Sequence, residues 1–319
     1  MGSTLLKNVG LSSGRKYLSI GLSHGYRFGN RFFELAALYG LADVLGRQPV
    51  FYVQDYEFRE MIPFVSKVMP GIFDKLQIVH SRLPSDLKRV QFQTQCCSYD
   101  DPSKHAKLTD ERLHLVGQFF QSYKYFDYLR PQILGFLKKP GEFPNLPKSG
   151  ERDAILCIHI RRTDFLDGHR QAPDQDFIRK AAGLIEQREF SNTTRRVSVV
   201  IFGDDVLFQK EILPNAVVAH ARFRPNKSTK VYVSTSNPED DLLYASQHCD
   251  VVFISAAVST FGWWMAYLSP KNRAYYVDIR HTNDFTFRTG MMVPEDYYLP
   301  SWTPLQMTAD NRVIVSEGK

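Results

Sequence analysis

A chain of 319 residues, 43% hydrophobic and 13% aromatic, can bury a large core and is long enough for about two domains. Net charge is only +6, and it is uneven: residues 1–150 hold 20 Lys/Arg against 13 Asp/Glu, residues 151–319 hold 20 against 21. No Lys/Arg-rich run of the nucleic-acid-binding kind stands out, so any anion site in the second half must be local.

The first half alternates strand and helix signals. Tyr17–Leu22 reads as a strand, Gly21, Gly25 and Gly29 punctuate a loop, and Asn30 to Gly46 carries apolar residues at helical spacing. Pro49–Val53 and Leu76–His80 read as further strands, and helical patterns follow at Asp110–Tyr123 and Asp127–Lys138. Residues 139–152, with three prolines, two glycines and little apolar periodicity, form the linker expected between a first domain (residues 1–145) and a second (residues 151–319).

The second half repeats the alternation. Asp153–Ile160 is a short apolar run of the kind buried on both faces of a parallel sheet. Asp176–Gln187 reads as a helix, Val197–Phe202 and Lys230–Val233 as strands. Asn237-Pro238-Glu239-Asp240-Asp241 has the cap, first-turn proline and acidic first turn of a helix running to about Cys249. Val251–Ser255 is a strand, Thr260–Leu268 a helix and Ala274–Val277 a strand. The apolar stretch 251–268 has the length of a membrane span, but Ser255, Ser259, Thr260 and Gly262 in its middle make strand, loop and helix the better reading. The opening residues show neither a signal peptide, nor a span, nor the myristoylation pattern. Such β–α alternation argues for parallel sheets. The expected fold class is α/β, two Rossmann-like domains with a cleft between them.

Cys96, Cys97, Cys157 and Cys249 have no metal-ligand spacing. Cys157 and Cys249 are expected to be buried thiols or one disulfide, whereas Cys96 and Cys97 could each pair with a different partner. Two glycosylation sequons, at Asn192 and Asn226, fall in polar, turn-rich segments and lean toward a secretory lumen.

The most informative segment is Cys157 to Asp164, where a buried strand breaks into Arg161, Arg162, Thr163 and Asp164. Charge at the carboxyl end of such a strand lies where open α/β sheets keep their ligand crevice. There a guanidinium suits a pair of phosphate oxygens, or closes the strand as a structural Arg–Asp pair. Two more turns are expected at the same edge. Gly203-Asp204-Asp205 can accept from a ribose or base, or be a solvated turn. Ser259-Thr260-Phe261 opens a helix whose free N–H groups attract an anion, or its hydroxyls serve only as caps. Neither a P-loop motif nor G-x-G-x-x-G is present, and no metal-ligand cluster has convincing spacing.

These motifs are similar to those of the alpha-1,2-fucosyltransferases of glycosyltransferase family 11. The likeness rests on Gly29-Asn30-Arg31-Phe32-Phe33-Glu34, on Phe119-Phe120-Gln121-Ser122, on His159-Ile160-Arg161-Arg162-Thr163-Asp164, which other fucosyltransferase families share, on Ser259-Thr260-Phe261-Gly262-Trp263-Trp264 and on Leu299-Pro300-Ser301-Trp302. Arg31 stands where the family usually has glutamine. The resemblance implies a GT-B-like enzyme of the Golgi lumen, its membrane anchor absent from this chain, as in a luminal fragment or soluble variant. It implies a first domain on the acceptor side and a second that binds the donor. The reaction implied is inverting, metal-independent transfer of L-fucose from GDP-fucose to the 2-hydroxyl of a galactose-terminated glycan, with no further cofactor. Other acceptors, such as a protein hydroxyl or a glycan core, and a non-catalytic sugar-binding homologue are the alternatives.

By this resemblance Arg161 binds the diphosphate, His159 and Asp204 or Asp205 bind the guanosine, Ser259, Thr260 and Phe261 border the phosphates, and Asn30 joins the donor site. Arg162 and Asp164 are expected to pair and brace the motif. His169, Asp167 and Asp174 follow it closely enough to be candidates for a general base.

Overall fold

The computed structural model describes residues 11–12, 14–24, 28–139, 141–167, 170–172, 174–205, 207–211 and 230–317. The chain divides into two units, Met1–Lys138 with Gly290–Leu299 and Lys139–Thr289 with Pro300–Lys319. The segment Gly290–Leu299 thus belongs with the first unit although it lies late in the chain. There Met292 bridges Cys97, and the Asp296 carboxylate accepts from the Tyr99 N–H at 2.8 Å.

In the first unit β1 (Tyr17–Ile20), β2 (Gln48–Tyr52), β3 (Gln77–Val79), β4 (Lys88–Gln91) and β5 (Arg112–Val116) form a parallel sheet in the order β3-β2-β1-β5-β4. The helix Phe28–Val44 is buried along most of its length, and Glu34, Phe32, Phe33 and Leu35 have no exposure. A second helix, Tyr56–Ser66, starts where the Asp55 carboxylate accepts from the Phe58 N–H at 3.1 Å. The helix expected over Asp110–Tyr123 is instead β5 and a loop. Pairing with β1 and β4 holds residues 112–116 extended, and Phe119 and Phe120 then take left-handed backbone at φ 63° and 50°.

In the second unit β6 (Asp153–Ile160), β7 (Arg196–Gly203), β8 (Lys230–Val233), β9 (Val251–Ile254), β10 (Ala274–Val277), β11 (Thr303–Met307) and β12 (Val313–Val315) form a sheet ordered β12-β11-β10-β9-β6-β7-β8. All its described pairings are parallel except β11 with β12. Residues 154–160 of β6 are all buried, as a central strand covered on both faces requires. The helix Thr260–Leu268 buries Trp263, Trp264 and Tyr267 completely, which fixes the position of its first turn. Cys157 on β6 is disulfide-bonded to Cys249, immediately before β9. Cys96 and Cys97 do not find separate partners; they are joined to each other.

Among the described residues no helix is long and apolar enough to cross a membrane. The α/β class with parallel sheets is as expected from the sequence.

Candidate active site

β6 lies between β9 and β7, with His159 opposite Ile254 and Ile160 opposite Gly203. Because the three strands are parallel, the turns that follow them, at Arg161, Asp204 and Ser255–Ser259, emerge at one edge of the sheet. The backbone carbonyl of His159 accepts from the Ser255 hydroxyl at 2.6 Å and from the Ser255 N–H at 3.2 Å, stitching two of these turns together.

Arg161 is largely buried and held by two carboxylates. Its Nε and Nη2 donate to both oxygens of Asp164 at 2.7 and 2.6 Å, and Nε lies 3.2 Å from Asp204. Arg162 instead meets Asp205 at 3.4 Å and stacks over the Phe208 ring, 3.7 Å from its centroid. The expected pairing of Arg162 with Asp164 is therefore corrected. The strand ends at Ile160 and a short helix, Thr163–Asp167, begins at once, so Arg161 and Asp164, three residues apart, share a face.

Asp204 and Asp205 do not form a solvated turn. Asp204 accepts from the Arg162 N–H at 2.9 Å and from the Thr163 hydroxyl; Asp205 accepts from the Phe208 N–H at 3.0 Å. They clamp the arginine motif to the end of β7. Gly203 permits that approach, because a Cβ there would sit 2.5 Å from the Ile160 carbonyl oxygen.

His159 is 2% exposed, and burial, reinforced by the nearby Arg161 charge, pushes its pKa down to about 3. It is a neutral imidazole at physiological pH. Its Nε2 lies 3.4 Å from the Ser259 hydroxyl and its ring 5.6 Å from that of Phe261, while its buried Nδ1 has no hydrogen-bond partner. Gly262 makes this packing possible, since a Cβ there would come within 2.7 Å of His159 Nδ1. Ser259 caps the following helix, its hydroxyl accepting from the Gly262 N–H at 3.4 Å. Thr260 and Phe261, both half-buried, occupy the first helical positions beside it.

The remaining expected residues are scattered. Asp174 is exposed and caps the helix Gln175–Phe190, accepting from the Asp176 N–H at 2.7 Å. Asp167 ends the short helix after the motif; its side chain and His169 lie outside the described residues. Asn30 is in the first unit, where its Oδ1 accepts from Gln121 at 3.2 Å. Asn192 is exposed on a turn, and Asn226 lies outside the described residues.

Sequence reasoning missed Gln171 and Asp284. The Gln171 N–H donates to Asp284 at 2.7 Å, and its side-chain oxygen accepts from the Ala257 N–H at 3.2 Å, tying the segment after the arginine motif to the loop after β9. Nothing in their spacing marks them, because single polar residues in loops carry no period.

A family model, Glycosyl transferase family 11, matches residues 15–306. The chain belongs to glycosyltransferase family 11. Three Caenorhabditis elegans proteins are similar to it. "Putative glycosyltransferase C06E1.7" is 38% identical over 301 residues, 94% of this chain and 82% of its own length. "Putative galactoside 2-alpha-L-fucosyltransferase svh-11" is 35% identical over 309 residues, 96% of this chain and 84% of its own. A "Galactoside 2-alpha-L-fucosyltransferase" is 34% identical over 313 residues, 89% of this chain and 76% of its own. A family 11 enzyme of this kind takes a nucleotide-sugar donor and a glycan acceptor.

Proposed function

We propose that this family 11 enzyme moves L-fucose from GDP-fucose to the 2-hydroxyl of a terminal galactoside, with inversion and without a required metal. The observation that carries the reading is the convergence of Arg161, the buried neutral His159 and the Ser259-capped helix start at the carboxyl edge of β6. The names of two relatives supply the sugar and the acceptor.

In this reading the second unit holds the donor. Arg161 takes the diphosphate, and the first-turn N–H groups at Thr260 and Phe261 add a second positive pole. Asp164, whose side chain is 60% exposed, is the partner that gives way to phosphate, while Asp204 keeps the guanidinium aligned. His159, kept neutral by burial, meets the nucleoside through its Nε2 edge beside Ser259, since its Nδ1 is packed against Gly262. The chemistry is a single in-line displacement at the fucose anomeric carbon through an oxocarbenium-like transition state. Negative charge grows on departing GDP, and losing one such electrostatic donor costs on the order of 10²–10³ in rate. Arginine and helix N–H groups can take the place of a metal ion at that position. The base that receives the acceptor proton is sought among Asp167 and His169, since Asp174 already serves as a cap. The same reading carries the two-domain GT-B arrangement, acceptor binding by residues 1–145, Asn30 as a donor contact, and residence in the Golgi lumen.

The test is incubation of the purified chain with GDP-fucose and lactose, with and without EDTA, and NMR of the product. An α-1,2-linked fucose formed equally in both conditions is expected. A product linked elsewhere, no transfer, or transfer abolished by EDTA would each overturn the corresponding part of the reading.

A further inference from the structure

The first unit contains a cavity of about 460 Å³ that none of the residues assigned to the donor lines. That volume lies in the range of about 300–1,000 Å³ typical of small-ligand sites. One wall is a face of the helix Tyr56–Ser66: Glu57, Glu60, Met61 and Phe64 fall at i, i+3, i+4 and i+7 and all line the space. The other wall is Arg31 on the helix Phe28–Val44, and Lys67 completes the lining.

Arg31 is 3% exposed, and its guanidinium is committed to the Ser23 carbonyl, to Glu34 at 3.3 Å and to Glu57. Glu57 is engaged a second time, by His24 Nδ1 at 3.0 Å. The arginine therefore acts as a rigid, neutralised wall rather than an anion receptor. With two glutamates set against Arg31 and Lys67, the lining has no excess charge to attract a phosphate. Glu60 is exposed and has no partner among the described residues, so its carboxylate is free to accept. Met61, 3% exposed, and Phe64, stacked on Phe28 at 3.8 Å between ring centroids, supply an apolar floor.

We infer that this cavity binds a neutral saccharide of the acceptor glycan, its hydroxyls donating to Glu60 and its C–H face resting on Phe64 and Met61. A charge-balanced cavity with a free carboxylate beside an aromatic ring offers acceptors for hydroxyl donors and a surface for apolar C–H groups, and a sugar ring carries both. The assignment rests on the proposed transfer to galactosides, and deepens it by naming the residues that hold the acceptor.

Two measurements on the full chain test it: saturation-transfer NMR with lactose in the absence of donor, and steady-state kinetics at varied lactose and GDP-fucose. Glu60→Ala and Phe64→Ala are expected to remove the lactose signal and to raise the lactose KM about tenfold, the scale of one lost charge-assisted hydrogen bond. The GDP-fucose KM should stay within twofold. Glu60 is a surface residue, so its variant folds even if Phe64→Ala does not. Unchanged lactose binding in Glu60→Ala, no lactose binding to the unaltered chain, or a shift confined to the donor KM would overturn the assignment. Lactose that binds at this cavity without being fucosylated would sink the proposed reaction and leave the site standing.

Discussion

The two ends of β6 carry ionic clusters built from the same residue types, and they differ in how completely they are closed. At the amino end Asp250 is 5% exposed and fully engaged: it accepts from the Ile155 N–H at 2.9 Å, the Ser149 hydroxyl at 2.6 Å, Lys271 at 2.7 Å and Arg195 at 3.2 Å. Burial alone would raise its pKa, but these donors outweigh burial and hold it below the usual carboxylate range. At the carboxyl end Arg161 leans on an Asp164 side chain that is 60% exposed, and His159 keeps a buried nitrogen without a partner. A cluster that satisfies itself stabilises a fold. One whose acidic partner stands in solvent has capacity left for a ligand.

The sharpest way to break this comparison is to open the closed cluster. Asp250→Ala leaves Arg195 and Lys271 without their carboxylate and the Ile155 N–H without its acceptor, and should cost about 2–4 kcal/mol of stability, the scale of a broken buried network. Chemical denaturation should show the loss, with transfer per folded molecule unchanged. A stable variant with reduced turnover would reverse the assigned roles of the two ends.

Gly262→Ala probes the open end without removing a charge. Its Cβ would press on His159 and on Ile254, which should cost about 1–3 kcal/mol and raise the GDP-fucose KM. A variant with unaltered melting and KM would show that His159 packs differently against the helix Thr260–Leu268.

A further effect is expected in pH dependence, away from both clusters. Burial raises the Asp241 pKa from 3.8 to about 7, against the Ser234 hydroxyl that donates to it. A carboxylate raised on folding favours the folded state at low pH and withdraws that support as pH rises toward 7. Asp241→Asn should therefore gain stability over the parent chain as pH rises from about 4 to 7, read from urea midpoints across that window. A difference that does not vary with pH would mean that Asp241 is not protonated on folding.

What was legible in the sequence follows from the same physics. Asp153–Ile160 and Thr260–Leu268 were readable to the residue, because a strand covered on both faces and a fully apolar helix each leave an unbroken pattern. β4, β11 and β12 were not read, being short strands with partly exposed patterns that sheet pairing rather than local propensity holds together. The helix Tyr56–Ser66 was hidden by Pro63 within it and by charges around its apolar face, and the cavity it lines was hidden with it. At the candidate site the residue types were legible but the partnership was not. Which arginine meets Asp164 depends on where β6 stops and the next helix begins.

The central claim is that Arg161 grips the pyrophosphate of the donor, and the direct measurement is transfer from GDP-fucose by Arg161→Ala alongside its melting curve. The account predicts a folded protein whose turnover falls at least about 100-fold, the scale of one lost transition-state donor. Near-normal turnover in a folded Arg161→Ala chain would contradict it.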